Sequence, residues 1–344
     1  MRAELLRPWR LAAAALLFIG TVLGLAAGDR LTAQVQAVVV LGTALDTPVV
    51  EQGAALLTRE PTVSETTVAG APTTFGLPAG DGPWPALVIV NGATPEGRRE
   101  PALQRLVRGL ARAGYVVALP DLPGLPEGRI DERTIESTVD VARAVADRPD
   151  ARDGRVGLVG VSVGTSLALL AALEPELTGR VRVVTGTAPF ADLANIVRLA
   201  TTGYYRRGNL LIRYETDPFV AEVVARSLAA DLPELEALLA NRDPRRFDEL
   251  YSALPPEIRA QVESLSPLNR ARELGMPLEL ASAPEDRYFP VDEARALAGS
   301  APNARVTTTS VLAHAVPEPT LGDLPDLLRF DGWVVRSLDA ARAG

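Results

Sequence analysis

The sequence predicts an α/β domain, a doubly wound and mostly parallel sheet with helices on both faces. Three observations predict it. Short, continuous apolar runs alternate with stretches of helical period, which is how strands buried on both faces of a parallel sheet read. One of these runs passes directly through a glycine-flanked turn into a helix, in RVGLVGVSVGTSLALLAALE from Arg155 to Glu174. The alternation then lapses between Phe190 and about Ser266, where helical runs follow one another without a convincing strand. That interruption reads as a helical insertion, a lid over the domain.

Composition narrows the chemistry. The chain of 344 residues is nearly half apolar and can bury a large core. Its net charge of -8 and the absence of a basic stripe argue against a nucleic-acid partner. Without cysteine there is no disulfide, thiolate nucleophile or thiolate metal site. A single histidine excludes a multi-histidine metal centre. No internal repeat or low-complexity segment occurs, and no cofactor is expected.

Residues 1–30 are set apart from the domain. Arg2, Arg7 and Arg10 precede an uncharged apolar stretch from Leu11 to Gly28. As a helix it would be roughly 27 Å long, close to the thickness of a bilayer core. The preceding positive charge predicts a cytoplasmic N-terminus and an extracytoplasmic domain. The stretch is either a retained anchor, which its length favours, or a signal peptide cleaved near the small residues Gly24, Ala26, Ala27 and Gly28. Residues 31–62 are expected to form a linker or membrane-proximal segment. The short apolar stretch Val35 to Leu45 within it either extends that region or packs on the domain.

The domain is expected from residue 63 to 344. Thr62–Val68 and Pro72–Leu77 read as an antiparallel pair of edge strands. Pro85–Val90 and Tyr115–Leu119 read as buried strands, with a helix from about Arg98 to Ala113 between them. A helix over Ile135–Asp147 leads to the strand Val156–Val159 and the helix Thr165–Leu173. Val181–Val184 is the next strand. In the insertion, about 190–266, Phe219–Leu228, Leu232–Leu239 and Ile258–Val262 are helical. Tyr204, Tyr205, Tyr214, Phe219, Phe247 and Tyr251 either pack these helices together or face an apolar substrate pocket. The sheet resumes at Pro277–Ala281, followed by the helix Val291–Ala298. The strand Arg305–Ser310 and a helix from Leu324 to about Leu338 close the chain.

Gly160-Val161-Ser162-Val163-Gly164 carries the chemistry. In a sharp strand-to-helix turn a Cβ at either glycine would clash, and the central serine is forced outward with its hydroxyl exposed. The spacing is neither G-x-G-x-x-G nor a phosphate loop ending in Gly-Lys, so a nucleotide site is disfavoured. Asp286 and His314 each follow a predicted strand, and in an open parallel sheet all such strand ends share one edge. A serine needs a neighbouring base to become a nucleophile, and His314 is the one imidazole in the chain.

On these residues the chain resembles enzymes of the α/β-hydrolase fold, the superfamily of serine esterases, lipases and peptidases, from about Val63 to its C-terminus. The resemblance implies Ser162 as nucleophile, Asp286 as acid and His314 as base, in the family's order along the chain. Asp286 is followed by Pro290, as in the family's acid loop; Glu285 and Asp192 are the alternative acids, and Asp121 is read as structural. The implied oxyanion hole is the backbone N–H of Val163 with that of Ala93, or of Thr94 instead. Asn91-Gly92 stands where many relatives have His-Gly. A serine nucleophile separates the chain from dehalogenase and epoxide hydrolase relatives, which use an aspartate.

The function implied is cleavage of a carboxylic ester, small or lipid-like, on the outer side of the membrane. A peptidase or acyltransferase would use the same residues. An inactive, membrane-tethered binding protein on the same fold is the alternative from another class.

Overall fold

The computed structural model describes residues 31–44, 58–228, 231–317 and 324–343. The expected membrane helix in residues 1–30 lies outside them. Among the described residues no helix is long and apolar enough to cross a membrane.

An eight-stranded sheet organises the chain. In chain order its first strands are β1 (Thr62–Val68), β2 (Ala71–Leu77), β3 (Trp84–Val90), β4 (Val116–Pro120), β5 (Ala151–Val161) and β6 (Val181–Thr187). A separate hairpin, β7 (Tyr204–Arg207) with β8 (Leu210–Arg213), follows; β9 (Leu278–Ser282) and β10 (Ala304–Thr308) then complete the large sheet. The spatial order is β1-β2-β4-β3-β5-β6-β9-β10. β1 and β2 pair antiparallel, β2 joins β4 antiparallel, and every later pairing is parallel. Of the strands expected from apolar runs, β3, β4, β6 and β9 are buried almost without exception, and β5 chiefly over its apolar C-terminal half. β1, at the edge, has one buried residue.

The helices are α1 (Leu31–Ala44), α2 (Pro101–Arg112), α3 (Glu132–Ala146), α4 (Val163–Ala172), α5 (Leu193–Thr202), α6 (Pro218–Ser227), α7 (Pro233–Ala240), α8 (Phe247–Ala253), α9 (Pro256–Ser264), α10 (Val291–Ser300) and α11 (Leu324–Arg342). Alternate residues of each central strand feed two cores. Val88 and Leu158 face α3 and α4, whereas Leu87 and Val159 face α1, α2 and α11. α4 has no polar face because both the sheet and its neighbours cover it; all ten of its residues are buried.

Two expectations change. The segment 31–62 is not linker throughout, because α1 packs on α2 and α11. Its Ala33, Ala37, Val40 and Leu41 are buried in the second core. Polar contacts fix its register: Gln34 Nε2 donates to Asp331 Oδ2 at 2.9 Å, and Gln36 Nε2 to the Ala113 carbonyl at 2.7 Å. Gly109 of α2 lets the helices approach, since a Cβ there would lie 3.2 Å from both the Thr43 Cβ and the Val40 carbonyl. The insertion, expected to lack strands, contains the β7–β8 hairpin. Arg207 pairs with Leu210 across the two-residue turn Gly208-Asn209, with Gly208 at φ 58°. This is the short, glycine-led connection that antiparallel strands favour. The helical runs expected after it are present as α6, α7 and α9.

Candidate active site

The turn between β5 and α4 is fixed by contacts that leave no room for side chains. A Cβ on Gly164 would sit 2.1 Å from the Val90 carbonyl oxygen, and one on Gly160 would sit 2.2 Å from the Thr165 Cα. Gly186 on the neighbouring strand is equally constrained, 2.4 Å from Thr165 Oγ1. The compression places Ser162 at φ 54°, ψ -129°, outside the ordinary regions for a residue with a Cβ. Hydrogen bonds hold the strained turn. Ser162 N–H donates to the Thr187 carbonyl at 3.0 Å, and Thr165 Oγ1 donates to the same oxygen at 2.8 Å.

Three strand ends bring three side chains together. His314, in the loop after β10, has its Nε2 2.8 Å from Ser162 Oγ. Its Nδ1 lies 2.9 and 2.8 Å from the two oxygens of Asp286, in the loop after β9. With the Nδ1 proton directed at the carboxylate, Nε2 is left as an acceptor for the serine hydroxyl. Asp286 is 2 % exposed, and its Oδ1 also accepts from the N–H of Tyr288 at 2.7 Å and of Phe289 at 3.1 Å. The imidazole is held between rings: Tyr288 has its centroid 4.3 Å away, and Phe289 meets it edge-on at 6.0 Å. His314 itself has φ 61°, a second strained residue in the same cluster. Such a chain of contacts can draw a proton from the serine and return it to a leaving group, while the carboxylate steadies the charged ring.

The other sequence-named residues fall as follows. Val163 opens α4, so its N–H is one of the helix's first, which have no partner within the helix. It lines the same cavity as Ala93 and Thr94. The Thr94 hydroxyl is engaged by the Glu96 carboxylate. Asn91 is buried and bonds on both sides, donating from Nδ2 to the Gly97 carbonyl at 3.0 Å and accepting the Gly92 N–H on Oδ1 at 2.7 Å. It therefore shapes the loop that carries Ala93. The two alternative acids are elsewhere: Glu285 is exposed, and Asp192 caps α5 by accepting from the N–H groups of Ala194 and Asn195. Asp121 accepts from Arg98 N–H at 2.7 Å and pairs with its guanidinium.

Sequence reasoning missed what supports the acid. The chain after β8 is pinned to the acid loop: Tyr214 donates its hydroxyl to the Asp286 carbonyl, Thr216 Oγ1 donates to the Tyr288 carbonyl at 2.8 Å, and Asp217 N–H donates to the Arg287 carbonyl at 2.7 Å. Burial, with the Asp286 charge second, pushes the Tyr214 phenol well above its usual range. No local pattern in the sequence announces these contacts. Most of the insertion's aromatics pack its own elements, as with Tyr205 edge-on to Tyr214 and Phe247 stacked on Tyr251. Phe219, Val220 and Val224 line the cavity instead.

That cavity has a volume of about 1060 Å³ and is lined by Ser162 and His314. It exceeds the roughly 300–1,000 Å³ usual for small-molecule sites. One arm lies beneath α5 and α6 of the insertion; the other runs on the opposite side of the sheet, under α1, α2 and α11. Among the described residues no cluster of potential metal ligands occurs.

Known proteins with this geometry agree on the fold. Residues 87–331 match the family model described as "Alpha/beta hydrolase family". Dipeptidyl peptidase 4 of Porphyromonas gingivalis superposes with a TM-score of 0.53 at 16% identity, over 80% of this chain and 35% of that one. Puromycin hydrolase gives 0.51 at 19%, over 81% and 38%. The chain thus spans little more than a third of the length of either. The 2,6-dihydroxy-pseudo-oxynicotine hydrolase gives 0.50 at 17%, over 98% of this chain and 90% of that one. No curated protein matches the sequence. With the family model spanning well over half of its length and the serine, histidine and aspartate joined at the strand ends, the chain belongs to the α/β hydrolase family.

Proposed function

We propose that the protein is a serine hydrolase that cleaves carboxylic esters through an acyl-enzyme. The observation that carries this reading is the unbroken contact from Ser162 Oγ through His314 to the buried Asp286, at 2.8 Å and 2.8–2.9 Å. Ser162 attacks the acyl carbonyl, His314 takes its proton and passes it to the leaving alcohol, and Asp286 stabilises the imidazolium. The N–H groups of Val163 and Ala93 stabilise the oxyanion. Water activated by the same histidine releases the acid.

An ester rather than a peptide is favoured by the walls of the cavity. Besides His314, its ionic lining among the described residues consists of Glu100 and Arg105, and most of its other lining residues are apolar. A peptide would bring backbone amides and termini that such walls leave unpaired. The domain acts outside the cytoplasm, anchored or released, a reading supported by Arg2, Arg7 and Arg10 ahead of the apolar stretch Leu11 to Gly28. Fractionation of cells expressing the full chain, with and without residues 1–30, tests it; a cytoplasmic full-length protein would reject it.

The activity is tested by labelling with a fluorophosphonate beside Ser162→Ala and His314→Ala. The wild type is expected to be labelled and to hydrolyse 4-nitrophenyl esters faster than aminoacyl 4-nitroanilides, and both variants to lose these activities by a factor on the order of 10⁴–10⁶. A folded wild type that resists the reagent would mark a binding protein. Preference for anilides would mark a peptidase.

A further inference from the structure

We propose that the arm of the cavity under α1, α2 and α11 holds an unbranched aliphatic chain of the substrate, which makes the substrate class a medium- to long-chain ester. This rests on the ester-hydrolase reading and assigns a subsite within it. Four observations carry it.

The arm is continuous with Ser162 and His314, and it descends along β5 rather than outward beneath the insertion. Val159 of β5, Leu87 of β3, Val40 of α1, and Val334 and Leu338 of α11 form its walls. The deep end is marked by Leu87 and Ala341. Leu87 pairs with Gly157, and a Cβ on Gly157 would lie 2.8 Å from Leu87 Cδ2 and 3.6 Å from the Ala341 Cβ. Gly157 is five residues from Ser162, so at about 3.3 Å per residue the arm is about 16 Å deep. A zigzag chain with bonds of about 1.5 Å advances roughly 1.25 Å per carbon, so this depth takes about twelve carbons.

Polarity is graded along the arm. Thr185 and Ser337, which both line it, hydrogen-bond to each other at 2.7 Å. Thr187, paired with Val161 and therefore beside the nucleophile, is 7 % exposed, and its Oγ1 has no partner. A buried hydroxyl left unpaired costs stability unless something polar meets it. The arm thus asks for a molecule that is polar at Ser162 and apolar for the rest of its length. An ester bearing an alkyl chain has that distribution. A peptide side chain does not reach so deep.

An apolar void also opposes folding, at roughly 24 cal/mol per Å³ in measured cavities. Ala341, Val40 and Val334 leave it unfilled between larger side chains, Leu103, Leu106, Phe330 and Trp333.

The test measures kcat/KM for 4-nitrophenyl esters from acetate to hexadecanoate, and for alkyl butyrates of the same range. The reaction with a fluorophosphonate runs in parallel. The expected result is a rise of tenfold or more from butyrate to decanoate or dodecanoate, with a fall beyond, in one of the two series. That series says whether the arm takes the acyl or the alcohol half. Ala341→Phe should lower the dodecanoate-to-butyrate ratio at least tenfold; Ala341→Leu replaces it if the bulkier variant does not fold. Independently of catalysis, dodecanoate should raise the melting temperature of Ser162→Ala, and Ala341→Phe or Ala341→Leu in that background should remove the rise. Profiles that are flat or fall from the two-carbon member in both series, in an enzyme that reacts with the fluorophosphonate, would overturn the chain site and leave the hydrolase reading standing. Failure to react with the fluorophosphonate, with dodecanoate still stabilising Ser162→Ala, would reject the hydrolase reading while retaining the chain site. Absence of dodecanoate stabilisation would overturn the chain site in either case.

Discussion

Glu293, on α10, is a buried carboxyl whose charge state couples to stability. It is fully enclosed, accepting the N–H groups of Ala191 at 2.8 Å and Asp192 at 3.1 Å, and the Asn195 side chain at 2.7 Å. Burial, opposed by those backbone donors and reinforced by the nearby Asp192 charge, pushes its carboxyl up to about 7. Because the folded value lies above the ordinary 4.5, the folded state holds the proton more tightly. The stabilisation is therefore complete below about pH 4.5 and is lost as pH rises through about 7. Asp192, also raised by burial, acts in the same direction. Glu293→Gln is expected to remove most of this dependence. Unfolding free energies from urea titrations at pH 5 and pH 8 should show the difference between wild type and variant changing by on the order of 3 kcal/mol. An identical pH dependence in the two proteins would contradict the assignment. The site residues themselves were open to sequence reasoning for unequal reasons. Ser162 stands out because Gly160 and Gly164 have no steric alternative, and His314 because no other imidazole competes with it. Tyr214, Tyr288 and Thr187 carry no such mark, since each owes its role to a contact with a distant part of the chain.

At the scale of elements, strands β3, β4 and β5 were legible because burial leaves an apolar run of four to six residues, and β6 and β9 because Arg182 and Glu279 are the single charged residues in otherwise apolar runs. The β7–β8 hairpin was not, because Arg206, Arg207 and Arg213 break the alternation and the signal is confined to Gly208-Asn209. The site of α1 was also hidden. Its composition suits a membrane-proximal helix as well as a packed one, and the partners that decide between them, Ala113, Tyr115 and Asp331, lie at sequence distances no window spans. α1 is an integral wall of the second core, and Gln36 reaches Tyr115, whose hydroxyl also donates to the Leu338 carbonyl at 2.8 Å. Removal of residues 1–44 is expected to lower the melting temperature by about 5–10 °C relative to a chain beginning at Leu31, from the lost burial of Val40, Leu41 and their neighbours at about 1.5–3 kcal/mol each. Equal melting temperatures, read by calorimetry on the two chains, would show that α1 contributes nothing to the fold.

For the whole molecule, the sheet divides the labour. The face toward α3 and α4 anchors the elbow, and the face toward α1, α2 and α11 leaves space beside the nucleophile. The insertion covers the strand ends and also grips the acid loop through Tyr214, Thr216 and Asp217. That grip has an evolutionary and an engineering meaning. A lid attached only at its two ends can be traded between relatives as a cassette, so that selectivity drifts while chemistry is inherited unchanged. Here the cassette carries struts for the catalytic carboxylate. Exchange of the insertion for another would alter substrate choice and weaken the support of Asp286 together, unless the graft retained residues 214–217. Diversification of this protein is therefore channelled toward the inner face of α6 and the arm along β5, where walls can change without disturbing the proton path.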